Sequence, residues 1–325
     1  MILAGDIGGT HARLACFSAA GERLAFRSFR SADFAGLPEI LETFFEQGDP
    51  AAVTDACLGI AGPVFDNRCH APNLAWKVDG GEIARRFDFG RCRLINDLVA
   101  TAEGLADLAP AELSVLQPGD RRPEGCRLLI AAGTGLGLAL LPPADSPGRQ
   151  QILPSEVGHA DFAARTDEEI ELLRFLRRRH GRVGIERVVS GPGIVAIWEH
   201  LSQRHRREVA PSLGQRLTTP KVDIAAEIAR AAGSGECPVA ERTVNLFLGA
   251  FGALVGSLAL TVLATGGVYL AGGIPTKLIP ALSKPTFLEA WRAKGRFSDF
   301  VRGLPLTVVR AEDTALRGAA RIAMQ

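Results

Sequence analysis

The sequence predicts an α/β protein of two domains that share a cleft. Three observations lead there. Short apolar runs alternate with stretches whose apolar residues recur at helical spacing, the pattern of strands covered by helices. A strand, a Gly/Thr turn and a second strand occur at residues 3–15 and again at residues 128–140, one copy in each half. Such a repeat argues for two similar domains. Between the copies, residues 109–125 concentrate turn formers, including Pro118-Gly119-Asp120 and Pro123-Glu124-Gly125, and mark a crossing between domains. With 325 residues the chain is long enough for two cores. The expected division is a small α/β domain of residues 1–110 plus 305–325, and a large α/β domain of residues 111–304.

Residues 2–29 read as three strands: the opening hairpin, then 24–29 after a turn at Ala20-Gly21. Leu37, Ile40, Leu41, Phe44 and Phe45 mark an amphipathic helix over 36–46. Residues 56–64 form a buried strand ending in a turn, and residues 71–76 a loop that sets Asn73 near Trp76. A short strand over 92–95 is closed by Asn96-Asp97, with a helix over 99–108. In the second half the hairpin at 128–140 leads to a loop at 153–162 and a helix over 168–179. Ser190 suits a helix N-cap, and the helix it starts runs through Ile197 and Trp198. A further helix covers 222–232. From Thr243 to Thr276 no side chain is charged, and a hydropathy window would flag a membrane span. Asn245, Ser257, Thr261 and Thr265 are spread through this stretch, and Gly266-Gly267 breaks it. A buried helix followed by a buried strand at 268–271 explains it better. A strand at 306–310 and an amphipathic helix over 312–324 close the chain.

The net charge of +1 gives no ground for a nucleic-acid or membrane partner. None of the six cysteines sits in a Cys-x-x-Cys pair, so neither a zinc site nor a redox pair is expected. Scattered cysteines, with no basic segment ahead of an apolar strand that Asp6 interrupts, fit a cytoplasmic protein.

The opening turn carries the first chemical signal. Gly8 and Gly9 are free to take φ > 0 and bring backbone N–H groups close to a phosphate, and Thr10 adds a hydroxyl. Asp6, at the mouth of the turn, is placed to hold Mg²⁺ through water, because Mg²⁺ takes oxygen ligands and keeps several waters. An ordinary Gly-rich hairpin would look the same, and it is the second copy at Gly133-Thr134-Gly135 that makes the signal specific. A third glycine turn, Gly272-Gly273, ends the strand at 268–271. Neither the Gly-x-x-x-x-Gly-Lys-[Ser/Thr] loop nor the Gly-x-Gly-x-x-Gly dinucleotide fingerprint is present. Asn96-Asp97 sits where a strand ends and a helix begins, which fits a helix cap and equally a ligand site. Glu156 and His159, flanked by Gly and Pro, fit a solvated turn or a binding loop. A His–carboxylate metal site there lacks a second His or Cys cluster. Taken together, these turns suggest Mg²⁺–ATP held between two domains.

Gly5-Asp6-Ile7-Gly8-Gly9-Thr10, Ile95-Asn96-Asp97, Gly133-Thr134-Gly135-Leu136-Gly137, Glu156-x-Gly158-His159, Glu186-Arg187-x-x-Ser190-Gly191-Pro192-Gly193 and Ala271-Gly272-Gly273-Ile274 occur in this order. With these motifs the sequence resembles the bacterial glucokinases, in the hexokinase branch of the actin-like (ribonuclease H-like) sugar kinases. The resemblance implies ATP-dependent phosphorylation of glucose at its 6-hydroxyl, giving glucose 6-phosphate and ADP for glycolysis. It implies Asp97 as general base, and Asn96, Asp97, Glu156, His159 and Glu186 as sugar-binding residues. Gly5, Asp6, Gly8, Gly9, Thr10, Gly133, Thr134 and Gly135 would cradle phosphate and Mg²⁺, and Gly272 and Gly273 would line the adenosine pocket. A cytoplasmic homodimer with glucose and ATP as substrates is likewise implied. His11 stands where many relatives carry Asn, and Asn73 lies in a looser match. No Cys lies between Cys126 and Cys237, so the Cys-rich zinc motif of the ROK (repressor–kinase) branch is absent. A kinase for another hexose is the alternative of the same class. A non-catalytic sugar-binding regulator is the alternative of another class, and Asp97 with both phosphate loops speaks against it.

Overall fold

The computed structural model describes residues 1–46, 52–71, 74, 76–143 and 151–325. They group into two compact units. The first is Met1–Glu112 with Gln151–Pro154 and Ala311–Gln325, and the second is Leu113–Gln150 with Ser155–Arg310.

In the first unit, β1 (Ile2–Ile7), β2 (His11–Phe17), β3 (Arg23–Arg30), β4 (Asp55–Ile60) and β8 (Arg91–Asn96) form a sheet ordered β3-β2-β1-β4-β8. β1 and β2 are an antiparallel hairpin, whereas β4 and β8 run parallel to β1. The alternate residues of β1 face two different cores. Leu3 and Ile7 pack with Leu37, Ile40 and Leu41 of α1 (Leu37–Phe45), and Ile2 and Ala4 pack with the C-terminal helix Thr314–Ala323. That helix approaches α3 (Asp97–Gly104) so closely that a Cβ on Gly318 would lie 1.8 Å from the Ala100 carbonyl oxygen. Gly318, unfavourable by helix propensity, is therefore explained by packing.

The strand expected over 56–64 ends at Ile60, and three short strands follow that the sequence did not suggest. β5 (Val64–Phe65), β6 (Arg68–Ala71) and β7 (Trp76–Asp79) form a small antiparallel sheet. It leads into α2 (Gly80–Phe87), a helix not expected from the sequence and capped by Asp79, which accepts from Gly81 and Glu82 N–H. Asn73 lies outside the described residues.

A second sheet, built mainly from the second unit, is formed by β9 (Leu113–Gln117), β10 (Arg127–Ala132), β11 (Leu136–Leu141), β12 (Leu153–Ser155), β13 (Gly267–Ala271) and β14 (Leu306–Val309), ordered β12-β11-β10-β13-β14-β9. The assignment of residues 305–310 to the first domain is corrected here. β14 pairs with β13 and β9, so the chain leaves this unit only after Arg310. β9 also lies inside the stretch 109–125, where turn formers concentrate. Its backbone pairs with β14, a partner 190 or so residues away that local composition does not reveal.

Helices α4 (Asp167–His180), α5 (Gly191–Arg204), α6 (Pro211–Leu217), α7 (Ile224–Gly233) and α8 (Pro238–Thr261) complete this unit with shorter helices. α8 is long and apolar enough to cross a membrane, with mean hydropathy 1.8 over its most apolar window, yet 67% of that window is buried. Phe247 and Phe251 of α8 pack in a core with Phe287 and Trp291, as the charge-free sequence suggested.

Candidate active site

The residues singled out by sequence fall into one set on each unit. In the first unit, Gly8 to His11 form the tight turn between β1 and β2. The expectation that Gly8 and Gly9 use positive φ is not met, because neither appears among the positive-φ glycines. The Gly8 N–H is also spent within the turn, donating to the His11 carbonyl at 2.9 Å. What the glycines supply is bare backbone: Gly9 and Thr10 are exposed at the tip. Ser31, 1% exposed, holds the turn from behind. Its hydroxyl donates to the Gly8 carbonyl at 2.7 Å and its N–H to the Thr10 carbonyl at 3.0 Å. Sequence reasoning missed Ser31, since a serine after a strand looks like any turn residue. Gly5 is buried in mid-strand, where a Cβ would meet Leu58 at 2.6 Å. Close packing against Leu58 and Leu14 leaves no room for a side chain at this position.

Asp6 lies across the hairpin from Arg13, whose guanidinium is 3.5 Å from its carboxylate. Burial raises the Asp6 pKa, and Arg13 opposes that shift. Among the described residues no group of three or more His, Cys, Asp and Glu could hold a metal. A lone carboxylate does suit Mg²⁺ bound through water.

Asn96 ends β8 and caps α3: its Oδ1 accepts from Leu98 N–H at 2.9 Å and Val99 N–H at 3.3 Å, while Nδ2 donates to the Gly62 carbonyl at 3.1 Å. The cap explains why α3 begins at Asp97, two residues earlier than expected. Asp97 is the first residue of α3 and half-buried, with Leu98 N–H on Oδ1 at 3.0 Å. The approach of β4 to this corner depends on Gly59, where a Cβ would come within 2.9 Å of the Ala100 Cβ.

In the second unit, Gly133, Thr134 and Gly135 join β10 to β11, with Thr134 exposed. The Gly133 N–H closes the turn on the Gly135 carbonyl, and the Gly133 carbonyl accepts Gly191 N–H at 2.8 Å. Ser190 caps α5 as expected, accepting Gly193 N–H at 3.0 Å and donating to the Glu186 carbonyl at 2.6 Å. The Glu186 carboxylate reaches the residue after the Gly133–Gly135 turn, accepting Leu136 N–H at 2.9 Å. Glu156 is exposed and precedes a short 3₁₀ turn, Val157–His159. His159 and Glu186 line one cavity of about 170 Å³ with Gly158, Arg182, Gly184 and Arg187. Arg182, not singled out by sequence, fixes this loop by donating to the His159 carbonyl at 2.6 Å and pairing with Asp161 at 2.7 Å.

Gly272 follows β13 at φ 89°, and a Cβ there would lie 2.5 Å from the Ala132 carbonyl oxygen, so this position requires glycine twice over. Gly273 is exposed beside it. A cavity of about 540 Å³ opens between α7, α8 and the residues after Gly273, lined by Ser234, Glu241, Asn245, Lys277, Leu278 and Lys284 among others.

A model of the glucokinase family matches residues 3–325. The chain belongs to the glucokinase family. It is 37% identical to a glucokinase of Synechocystis, the match spanning 99% of this chain and 98% of the relative. Among solved structures, a glucokinase from an Antarctic psychrotroph is 32% identical and superposes with a TM-score of 0.79, covering 99% of this chain and 98% of that one. A ROK-family glucokinase from Streptomyces griseus, solved with glucose and AMPPNP, shares the fold at a TM-score of 0.66 and 20% identity, over 99% of this chain and 98% of that one. The two-domain, actin-like sugar-kinase fold expected from the sequence is thus the fold of this glucokinase-family chain.

Proposed function

We propose that the chain transfers the γ-phosphoryl group of ATP to the 6-hydroxyl of glucose, with Asp97 as general base. Membership of the glucokinase family over the whole chain supports ATP-dependent glucose phosphorylation. The observation that carries the site assignment is the bond from Leu136 N–H to Glu186. It makes a hydroxyl-binding carboxylate and the Gly133–Gly135 turn parts of one structure, as a kinase that must register sugar against phosphate requires.

In this reading Asn96, Glu156, His159 and Glu186 hold the sugar hydroxyls, which are donors and acceptors alike and so suit carboxylates, an amide and an imidazole. Gly8, Gly9, Thr10, Gly133, Thr134 and Gly135 lie along the phosphates, and Gly272 and Gly273 along the adenosine. Asp97 takes the proton of the 6-hydroxyl as its oxygen bonds to the γ-phosphorus, the bond to the β-phosphate bridging oxygen breaks, and ADP leaves. Asp6 is the residue that would hold Mg²⁺, and the ion would supply charge screening for the phosphates. A homodimer in the cytoplasm, feeding glycolysis, belongs to the same reading.

The test is sugar-dependent ADP release with Mg²⁺–ATP across glucose, mannose, fructose, glucosamine and N-acetylglucosamine, for the wild type and Asp97→Asn. Strong glucose dependence is expected, with Asp97→Asn losing about 10²–10⁴-fold in kcat and keeping its glucose affinity. Glucose binding without turnover in the wild type would reject the kinase. An equal loss of binding and turnover in Asp97→Asn would reject the base assignment.

A further inference from the structure

One side chain of the β5–β6 hairpin, that of Asn67, hydrogen-bonds to the edge of the sheet. Val64 lies opposite Cys69 and Phe65 opposite Arg68, so Asp66-Asn67 is a two-residue loop. Both residues are left-handed, with φ 48° and 59°, a region that Asp and Asn tolerate better than other side chains. This turn directs the Asn67 carboxamide onto β8, the edge strand of the first unit's sheet. Nδ2 donates to the Cys92 carbonyl at 2.9 Å, and Oδ1 accepts Leu94 N–H at 2.7 Å. The amide so occupies the place of a peptide group in a neighbouring strand, at an edge that pairs with no further strand among the described residues.

Two neighbours are shaped around this contact. The Asn67 carbonyl accepts Gly80 N–H at 3.0 Å, at the first residue of α2. A Cβ on Gly80 would lie 2.4 Å from Asn67 Nδ2 and 2.8 Å from the Cys92 carbonyl oxygen, so the amide fits only beside a bare backbone. Further along β8, Asn96 Nδ2 reaches Gly62, just ahead of the same hairpin. Residues 62–67 therefore grip β8 at Cys92, Leu94 and Asn96, and the next residue is Asp97.

We propose that Asn67 is a positioning residue for Asp97. β4 holds β8 on one side only, and the Asn67 amide supplies the other side, fixing where the strand end presents the carboxylate. The inference rests on Asp97 being the base. Its physical basis is that phosphoryl transfer depends on placement, so that a shift of about 1 Å costs on the order of 10²-fold in rate.

Asn67→Gly keeps the left-handed turn and removes the amide. Gly80→Ala keeps Asn67 and crowds its amide off Cys92, so it tests the same contact if the first variant folds poorly. Both are measured for kcat and for the KM of glucose and of ATP, beside thermal melting and an Asp97→Asn control. The expected result is a kcat about 10- to 100-fold lower per folded molecule, with both KM values nearly unchanged and a lowered melting temperature that still leaves the protein folded at the assay temperature. Wild-type kcat in Asn67→Gly overturns the proposal, as does a fall in activity that only tracks the folded fraction. If Asp97→Asn itself retains kcat, the base assignment falls and the proposal with it. If Asp97→Asn is inactive while Asn67→Gly is unimpaired, the positioning role alone is refuted.

Discussion

Gly135→Ala separates the two jobs that the second glycine turn could do. An alanine Cβ at this position would sit 2.6 Å from Glu186 Oε2, whereas ordinary contact begins near 3.4 Å. Gly135 is not among the positive-φ residues, so its backbone accepts alanine, and the obstacle is the end of a flexible side chain. The Glu186 carboxylate must retreat by about 0.8 Å, which carries its 2.9 Å bond from Leu136 N–H beyond hydrogen-bonding distance. A hydrogen bond to a charged group is worth about 1.5–3 kcal/mol. If Glu186 binds a sugar hydroxyl from its present position, the glucose KM should rise about 10- to 150-fold. The ATP KM should move far less. Steady-state kinetics with each substrate varied in turn decides the matter. A raised ATP KM with an unchanged glucose KM would refute the reasoning and return Gly135 to a purely phosphate-facing role.

Two further predictions concern residues away from the sugar. Ser31→Ala removes the bond that braces the Gly8 carbonyl, and should cost about 1 kcal/mol in denaturant unfolding and raise the ATP KM while leaving the glucose KM alone. His200 is buried against Phe175 with no partner on Nε2 among the described residues, and burial lowers its pKa below the ordinary 6.5, with Arg204 adding to the shift. Its folded-state value is depressed, so the stability it contributes is present above pH 6.5 and lost as pH falls below it, because the unfolded chain takes up the proton first. The wild type should lose up to about 1.4 kcal/mol per pH unit on that account, and His200→Leu should flatten the acid side of a melting-temperature profile. An unchanged profile would remove His200 from the account.

The alternation of short apolar runs and helical periodicities was enough for the α/β class, and the repeated Gly/Thr hairpin was enough for two units. Those signals are local, arising from spacing along a single element. The same holds for Ser190 as a cap and for the charge-free stretch as a buried helix and strand, since each depends only on nearby residues. Chemical type was also legible, because carboxylates, an amide and an imidazole beside glycine turns are meaningful without coordinates.

Contacts between distant segments were not legible. β9 and β14 gain their identity from pairing with each other, and neither Leu113–Gln117 nor Leu306–Val309 reveals its partner. Gly5 belongs to an expected motif but is claimed by Leu58 and Leu14. Ser31, Arg182 and Asn67 look like ordinary surface residues until the fold brings them to Gly8, His159 and β8. By itself the sequence determined the fold class, the longer periodic elements and the family, because propensity, periodicity and motif are properties of a residue and its neighbours. Only the tertiary structure decided what holds those side chains in place, because a hydrogen bond between residues 23 to 50 positions apart exists only once the backbone has closed the distance.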